Sequence, residues 1–337
     1  MEYSGNMAVL LPVAGGKGGV GKSIVSLNLA VTLAHHCKNT ILCDMDLGGA
    51  NLHTLLGLKN NQAGLGTYIT KIETDFLNLL QATGIPSLQF IAGDCHYPGV
   101  ANMDFFTKQK IIKNIQSLDA DYVIMDLGAG STYNIIDFFL TSYDGLIVVS
   151  PDLTSILNAY SFLKSAVFRF CYRQFKPKSP ERQILQNSIL QRMEGKEYSF
   201  EQILSVIASK FPESAEKAFT EMKKLHPRII MNMGRGPADV ELGNRLLNLT
   251  HNKLSITAEY IGFIPYDDNV SLSIARRQPL SIMKPDSPMC LAMPDIAAKI
   301  ESTASSQDIF LEDMQENLEE IVKNYYEKLD KKRQDET

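Results

Sequence analysis

Short, continuous apolar runs alternate along this chain with longer stretches in which apolar residues recur every three or four positions. The runs at Ala8–Ala14, Thr40–Asp44, Leu88–Ala92, Tyr122–Asp126, Gly145–Ser150, Arg228–Asn232 and Tyr260–Ile264 predict strands covered on both faces. Ile24–Ala34, Lys108–Ser117 and Thr154–Phe170 carry helical spacing between them. This rhythm predicts an α/β fold with a doubly wound, mostly parallel sheet, and ligand chemistry at the C-terminal ends of the strands. Pro12 is unusual inside a strand, because it has no N–H to give to a ladder.

Two segments depart from the rhythm. Residues 171–227 are too long for a simple crossover and are read as a helical insertion, with a capping-box spacing from Ser199 to Gln202. The insertion holds ten Lys/Arg against seven Asp/Glu, slightly basic in an acidic chain, and reads either as a surface for a protein partner or as a decorative helical excursion. The second segment is 306–333, where Leu311, Met314, Leu318, Ile321, Val322, Tyr325 and Leu329 form one helical stripe. Its polar face begins with Glu312, Asp313, Glu316, Glu319 and Glu320, which anionic lipid would repel. Packing on the domain or on another helix is expected. The division predicted is therefore a main domain over 1–305 and a C-terminal helix and tail over 306–337.

The chain has 337 residues, a net charge of −5 and 45 % hydrophobic residues. No apolar run reaches the roughly 20 residues that span a bilayer, and no secretory leader is visible. The acidic balance argues against wholesale nucleic-acid coating, and Arg276-Arg277 is read as surface charge. Five scattered cysteines without a C-x-x-C pair point to reduced thiols in a cytoplasmic protein.

The chemistry is concentrated in Gly15-Gly-Lys-Gly-Gly-Val-Gly-Lys-Ser23, which contains the phosphate-binding pattern G-x-x-x-x-G-K-[ST]. The amides of Gly16, Gly18, Gly19, Val20 and Gly21 are expected to cradle phosphate oxygens, at the positive end of the helix that follows. Lys22 reaches the β/γ-phosphates and Ser23 binds Mg²⁺ in this pattern. Lys17 is an additional lysine that an ordinary phosphate loop does not require. Asp44, Asp46 and Asp126 end two predicted strands: Asp44 and Asp126 suit the metal and its water shell, and Asp46 suits orientation of an attacking water. Gly130, in Asp126-Leu-Gly-Ala-Gly130, offers an amide beside the γ-phosphate.

These motifs, with Asp44-Met-Asp-Leu-Gly-Gly-Ala-Asn51, resemble the deviant-Walker ATPases of the MinD/ParA group, over roughly 1–170 and 228–285. Within the group, Asp126-Leu-Gly-Ala-Gly and Ser150-Pro-Asp-Leu-Thr are most similar to the flagellar-number regulators FlhG and FleN. The resemblance implies an ATP-bound homodimer in which Lys17 contacts the partner subunit's phosphates and acts in catalysis with Lys22 and Asp46. It further implies that Asn51 follows the water-positioning aspartate in the first switch and that Asn232 reads adenine. Pro265 and Asp267 would belong to the loop over the base. A location at a pole or at the membrane periphery is also implied. Ile24 stands where many relatives have a second hydroxyl at the α-phosphate. The stretch Met1–Met7 is shorter than the activating helix of FlhG proteins. Two other branches share the loop: iron–sulfur carriers of the nitrogenase-iron-protein or Mrp type, for which Cys95 or Cys290 would have to bridge a dimer, and biosynthetic enzymes of the cobyrinate/dethiobiotin type, whose loop commonly lacks Lys17.

Overall fold

The computed structural model describes residues 8–59, 62–93, 103–193, 200–304 and 318–335. The apolar runs become strands β1 (Val9–Ala14), β2 (Thr40–Met45), β4 (Leu88–Ile91), β5 (Tyr122–Leu127), β6 (Leu146–Val149), β7 (Arg228–Gly234) and β8 (Glu259–Pro265). A two-residue strand that periodicity did not signal, β3 (Gln81–Ala82), pairs antiparallel with β4 at the sheet edge. The order is β3-β4-β2-β5-β1-β6-β7-β8, and every pairing other than β3–β4 is parallel. β1 is central, so the crevice outside its C-terminal end lies where chain connections diverge to the two sides.

Pro12 fits this centre for a register reason. Val9 N donates to Asp121 O, so residues 9, 11 and 13 bond toward β5 while Pro12 faces the β6 side. Pairing with β6 begins only at Val13. The missing N–H therefore falls where there is no β6 residue to receive it.

Helices cover both faces: α1 (Lys22–His35), α2 (Leu52–Leu55), α3 (Leu65–Ile69), α4 (Phe105–Gln116), α5 (Tyr133–Phe139) and α6 (Leu153–Gln174) in the first half. The second half adds α7 (Pro180–Met193), α8 (Phe200–Lys210), α9 (Pro212–Met222), α10 (Asp239–Leu254), α11 (Asn269–Arg276), α12 (Leu280–Met283), α13 (Pro288–Ala304) and α14 (Leu318–Asp335). α1 is apolar almost all round because it is buried almost all round. Its buried Asn28 is satisfied locally, donating to Ile24 O and accepting from Ser281 N and Oγ.

The insertion is helical as expected. α8 and α9 bury Phe200, Ile203, Leu204, Ala215 and Ala218, and Phe200 meets Phe168 of α6 edge-on at 5.1 Å. Ser199 of the expected capping box lies outside the described residues, as do Leu311, Met314 and the first acidic residues of the C-terminal stripe. From Leu318 onward that stripe packs on the domain. Leu318, Val322 and Tyr325 are buried, Tyr325 Oη donates to Pro288 O at 3.2 Å, and Lys328 pairs with Asp295. Glu319 and Glu320 face outward. No helix among the described residues is long and apolar enough to cross a membrane.

Candidate functional site at the phosphate loop

The loop between β1 and α1 is enclosed by two elements distant in sequence, α6 and β7. Gly16 lies against the backbone of α6, where a Cβ would come within 2.1 Å of the Asn158 carbonyl carbon. Gly21 has φ +85°, and a Cβ there would come within 2.2 Å of Asn232 Nδ2. That amide donates to Val20 O at 2.8 Å, so the end of β7 holds the loop from the other side. Asn232, expected from the resemblance to read adenine, thus touches the phosphate loop itself.

The two lysines of the loop take different stations. Lys22 is buried, its stem passing over Gly15. Lys17 is one-third exposed and donates to Asp152 Oδ1 and Thr154 Oγ1, each at 2.8 Å. Asp152 also accepts from Ser155 N at 2.8 Å and Ser150 Oγ at 2.7 Å, which makes it the N-cap of α6. Burial opposes its charge, but these donors outweigh burial and hold its carboxyl far below the usual carboxylate range. Ile24 packs partly buried against the core.

Asp44 and Asp126 are paired in register across β2 and β5, both buried. Burial raises Asp44 to about 7, and the neighbouring Asp126 adds to the shift. Asp126 is raised to about 6, again chiefly by burial, although hydrogen bonds from Ser23 and Ser26 and the charge of Lys22 oppose it. Ser26 Oγ donates to Asp126 Oδ1 at 2.9 Å. Two adjacent buried carboxylates and a serine hydroxyl beside a phosphate cradle form a hard-oxygen donor set, and that chemistry fits Mg²⁺. The spacing of Asp44 predicted metal-shell contact. In the structure its oxygens accept from Asp46 N at 3.2 Å and from Asn51 N and Leu52 N at 3.0 Å each, so it also folds the 46–52 loop around itself. Asn51 enters through its backbone, with its side chain exposed.

Asp46 lies against Gly128, and with Ala129, Thr132, Asn134 and Lys108 the two line a cavity of about 570 Å³. Gly130, at φ +92°, ends the loop that carries Asp126 toward α5. Beneath it sits a buried charge cluster that sequence reasoning did not find. Asp137 of α5 is bound by Lys108 of α4, by Arg169 Nε at 2.8 Å and by Arg173 Nη2 at 2.5 Å, both of α6.

On the far side, Pro265 ends β8 in register with Gly234, and Tyr266 N donates to Gly234 O at 2.7 Å. Asp267, expected at the base, is buried and turned inward. It accepts from Asn269 N at 2.9 Å, Asn269 Nδ2 at 2.7 Å and Met289 N at 3.1 Å, tying the loop to α13. Cys290 is also buried, with Sγ 3.8 Å from Ser281 Oγ, and so is not presented for bridging two subunits. Cys95 lies outside the described residues. Among the described residues no group of three or more His, Cys, Asp or Glu is placed to hold a metal.

Comparison with known proteins gives a consistent picture. The profile of the CobQ/CobB/MinD/ParA nucleotide binding domain matches residues 11–280. The antiactivator FleN of Pseudomonas aeruginosa is 25 % identical over 305 residues, covering 90 % of each chain. The flagellum site-determining protein YlxH of Helicobacter pylori is 29 % identical over 163 residues, 46 % of this chain and 52 % of that one. Among solved structures, the septum site-determining protein MinD of Pyrococcus horikoshii complexed with Mg-ADP superposes with a TM-score of 0.61 at 16 % identity. That match covers 90 % of this chain and all of the other, and it shows a shared fold.

Proposed function

The chain belongs to the CobQ/CobB/MinD/ParA nucleotide-binding family, and we propose that within it the protein is an ATP-hydrolysing dimerisation switch that positions or regulates a cellular structure. Flagellar number or placement is the process best supported, by the similarity to FleN over 90 % of each chain and the partial similarity to a flagellum site-determining protein. The observation that carries the reading is the division of labour between the two loop lysines. Lys22 is buried in its own cradle, while Lys17 reaches outward and is held by side chains that an exchange of partners can release.

In this mechanism Lys22 and the amides of Gly16–Gly21 bind the phosphates of ATP. Ser23 and Asp126, with Asp44 behind them, would hold Mg²⁺, which when bound would neutralise phosphate charge. Asp46 orients the water that attacks the γ-phosphorus, yielding ADP and phosphate. Lys17 leaves Asp152 and Thr154 to meet the phosphates of a second subunit. Gly130 and the 46–52 loop respond to the γ-phosphate and change the surface offered to a protein partner, with the insertion at 171–227 part of that surface. Asn232, Pro265 and Tyr266 border the place for the base.

The test is Lys17→Ala. It should still bind a fluorescent ATP analogue, fail to form ATP-dependent dimers in sedimentation, and hydrolyse ATP at least about tenfold more slowly. Normal dimers with normal turnover would refute the mechanism.

A further inference from the structure

Helix α6 begins at the phosphate loop and ends among the helices of the insertion. Along its second half a cleft of about 890 Å³ opens between α5 and α6 on one side and α7 and α8 on the other. Its lining is apolar at Ile136, Phe168, Leu185 and Ile203, and cationic at Lys164 and Arg169. No described residue lining it is an aspartate or glutamate.

Among the described residues, positive charge outnumbers negative beside the cleft. The nearest carboxylate in the charge cluster, Asp137, is one negative group shared by Lys108, Arg169 and Arg173. Arg182 stacks at 4.3 Å on Tyr172, which also lines the cleft, and its buried Nε–H has no acceptor among the described residues. In a chain of net charge −5 this is a local basic site with an apolar interior. The aromatic faces are already in use: Arg169 lies 5.0 Å from the centre of Tyr133, Arg182 covers Tyr172, and Lys164 and Phe200 flank Phe168. Rings so engaged are poor platforms for stacking nucleobases.

We propose that this cleft is the docking site for a short acidic peptide segment of a partner protein, anchored by a bulky apolar side chain. Its carboxylates pair with Lys164 and Arg169 in the cleft and with Arg182 beside it, and its anchor packs on Leu185 and Ile203. Ser131 and Tyr133 form one wall and directly follow the Asp126–Gly130 loop, so occupancy is coupled to nucleotide. That coupling alone rests on the switch reading above.

The experiment pans a random dodecapeptide display library on the full-length protein with Mg²⁺ and a non-hydrolysable ATP analogue, then measures labelled clones by fluorescence anisotropy. Enriched clones should carry acidic residues around an aromatic or aliphatic residue. Their binding should weaken as ionic strength rises from about 0.05 to 0.3 M. It should drop about tenfold or more in Lys164→Glu and in Ser165→Trp, which fills the cleft, and stay unchanged in Lys217→Glu, a charge-matched change at an exposed position of α9. Circular dichroism confirms that each variant is folded, with Lys164→Glu the milder of the two cleft variants. The proposal is overturned if no binders emerge, if clones lack acidic residues, or if binding survives both cleft variants. A labelled oligothymidylate that binds and is lost in the same variants would overturn it in favour of nucleic acid. Equal peptide binding with ADP and the ATP analogue would refute the nucleotide coupling while leaving the docking site in place.

Discussion

Replacing Asp137 by asparagine keeps the shape of the side chain and removes the charge at the centre of the α4–α5–α6 cluster. The carboxylate is fully buried, and the side chain of Lys108, its closest partner, is only 6 % exposed. Breaking a buried pair by deleting one partner typically costs about 3–5 kcal/mol, because the surviving charge stays desolvated. Arg169 and Arg173 reach solvent, at 25 % and 33 % exposure, and can rehydrate. The cost should therefore sit near the low end, about 3 kcal/mol, or a fall of about 6 °C in Tm at about 2 °C per kcal/mol for a large domain. With no tryptophan in the chain, far-UV circular dichroism in urea is the appropriate assay. Burial opposes the charge of Asp137, but the hydrogen bonds from Arg169 and Lys108 and the charge of Arg173 outweigh it and hold its carboxyl below the ordinary 3.8. For a depressed carboxylate, the stabilisation is complete above the unfolded value and is lost as pH falls through the folded one. The gap between wild type and Asp137→Asn should thus be constant from about pH 5 to 8 and close on stronger acidification. Lys108→Met added to Asp137→Asn should recover part of the loss. A variant within about 0.5 kcal/mol of wild type, or no recovery in the double variant, would refute the reasoning.

Two further outcomes follow from packing. Gly16→Ala forces a methyl group onto the backbone of Asn158, so the loop must move away from α6; binding of a fluorescent ATP analogue should be abolished with the fold intact, and retained binding would contradict the close approach. Leu318→Ala, at a fully buried position of α14, should cost about 2–4 kcal/mol in urea unfolding, whereas a surface helix would lose under about 0.5.

The strands were legible because several are continuous apolar runs, and a parallel sheet sandwiched between helices demands such runs. β3 was not, since Gln81-Ala82 has neither length nor pattern and exists only as an edge partner of β4. The phosphate loop could be read residue by residue, because its chemistry is local to nine positions. What encloses it could not. Asn158 and Asp152 reach the loop across more than 130 residues of sequence, and nothing in their own neighbourhood encodes the meeting. Strand-end aspartates were recognisable as a class, but their individual duties depend on which donors the loops deliver. Asp44 gathers three backbone amides, and Asp267 faces α13. Asp137 gave no signal, since its partners lie on two other helices.

Helix α6 deserves to be considered as a mechanical part. Its 22 residues give a rod of about 33 Å at 1.5 Å per residue. One end is fastened to the phosphate loop through Asp152, and the other sits among the insertion helices. A tilt of only about 10° about the fastened end would sweep the far end through about 6 Å, roughly one helical turn. Movements too small to notice around a phosphate would thereby be geared up to distances that open or shut a crevice.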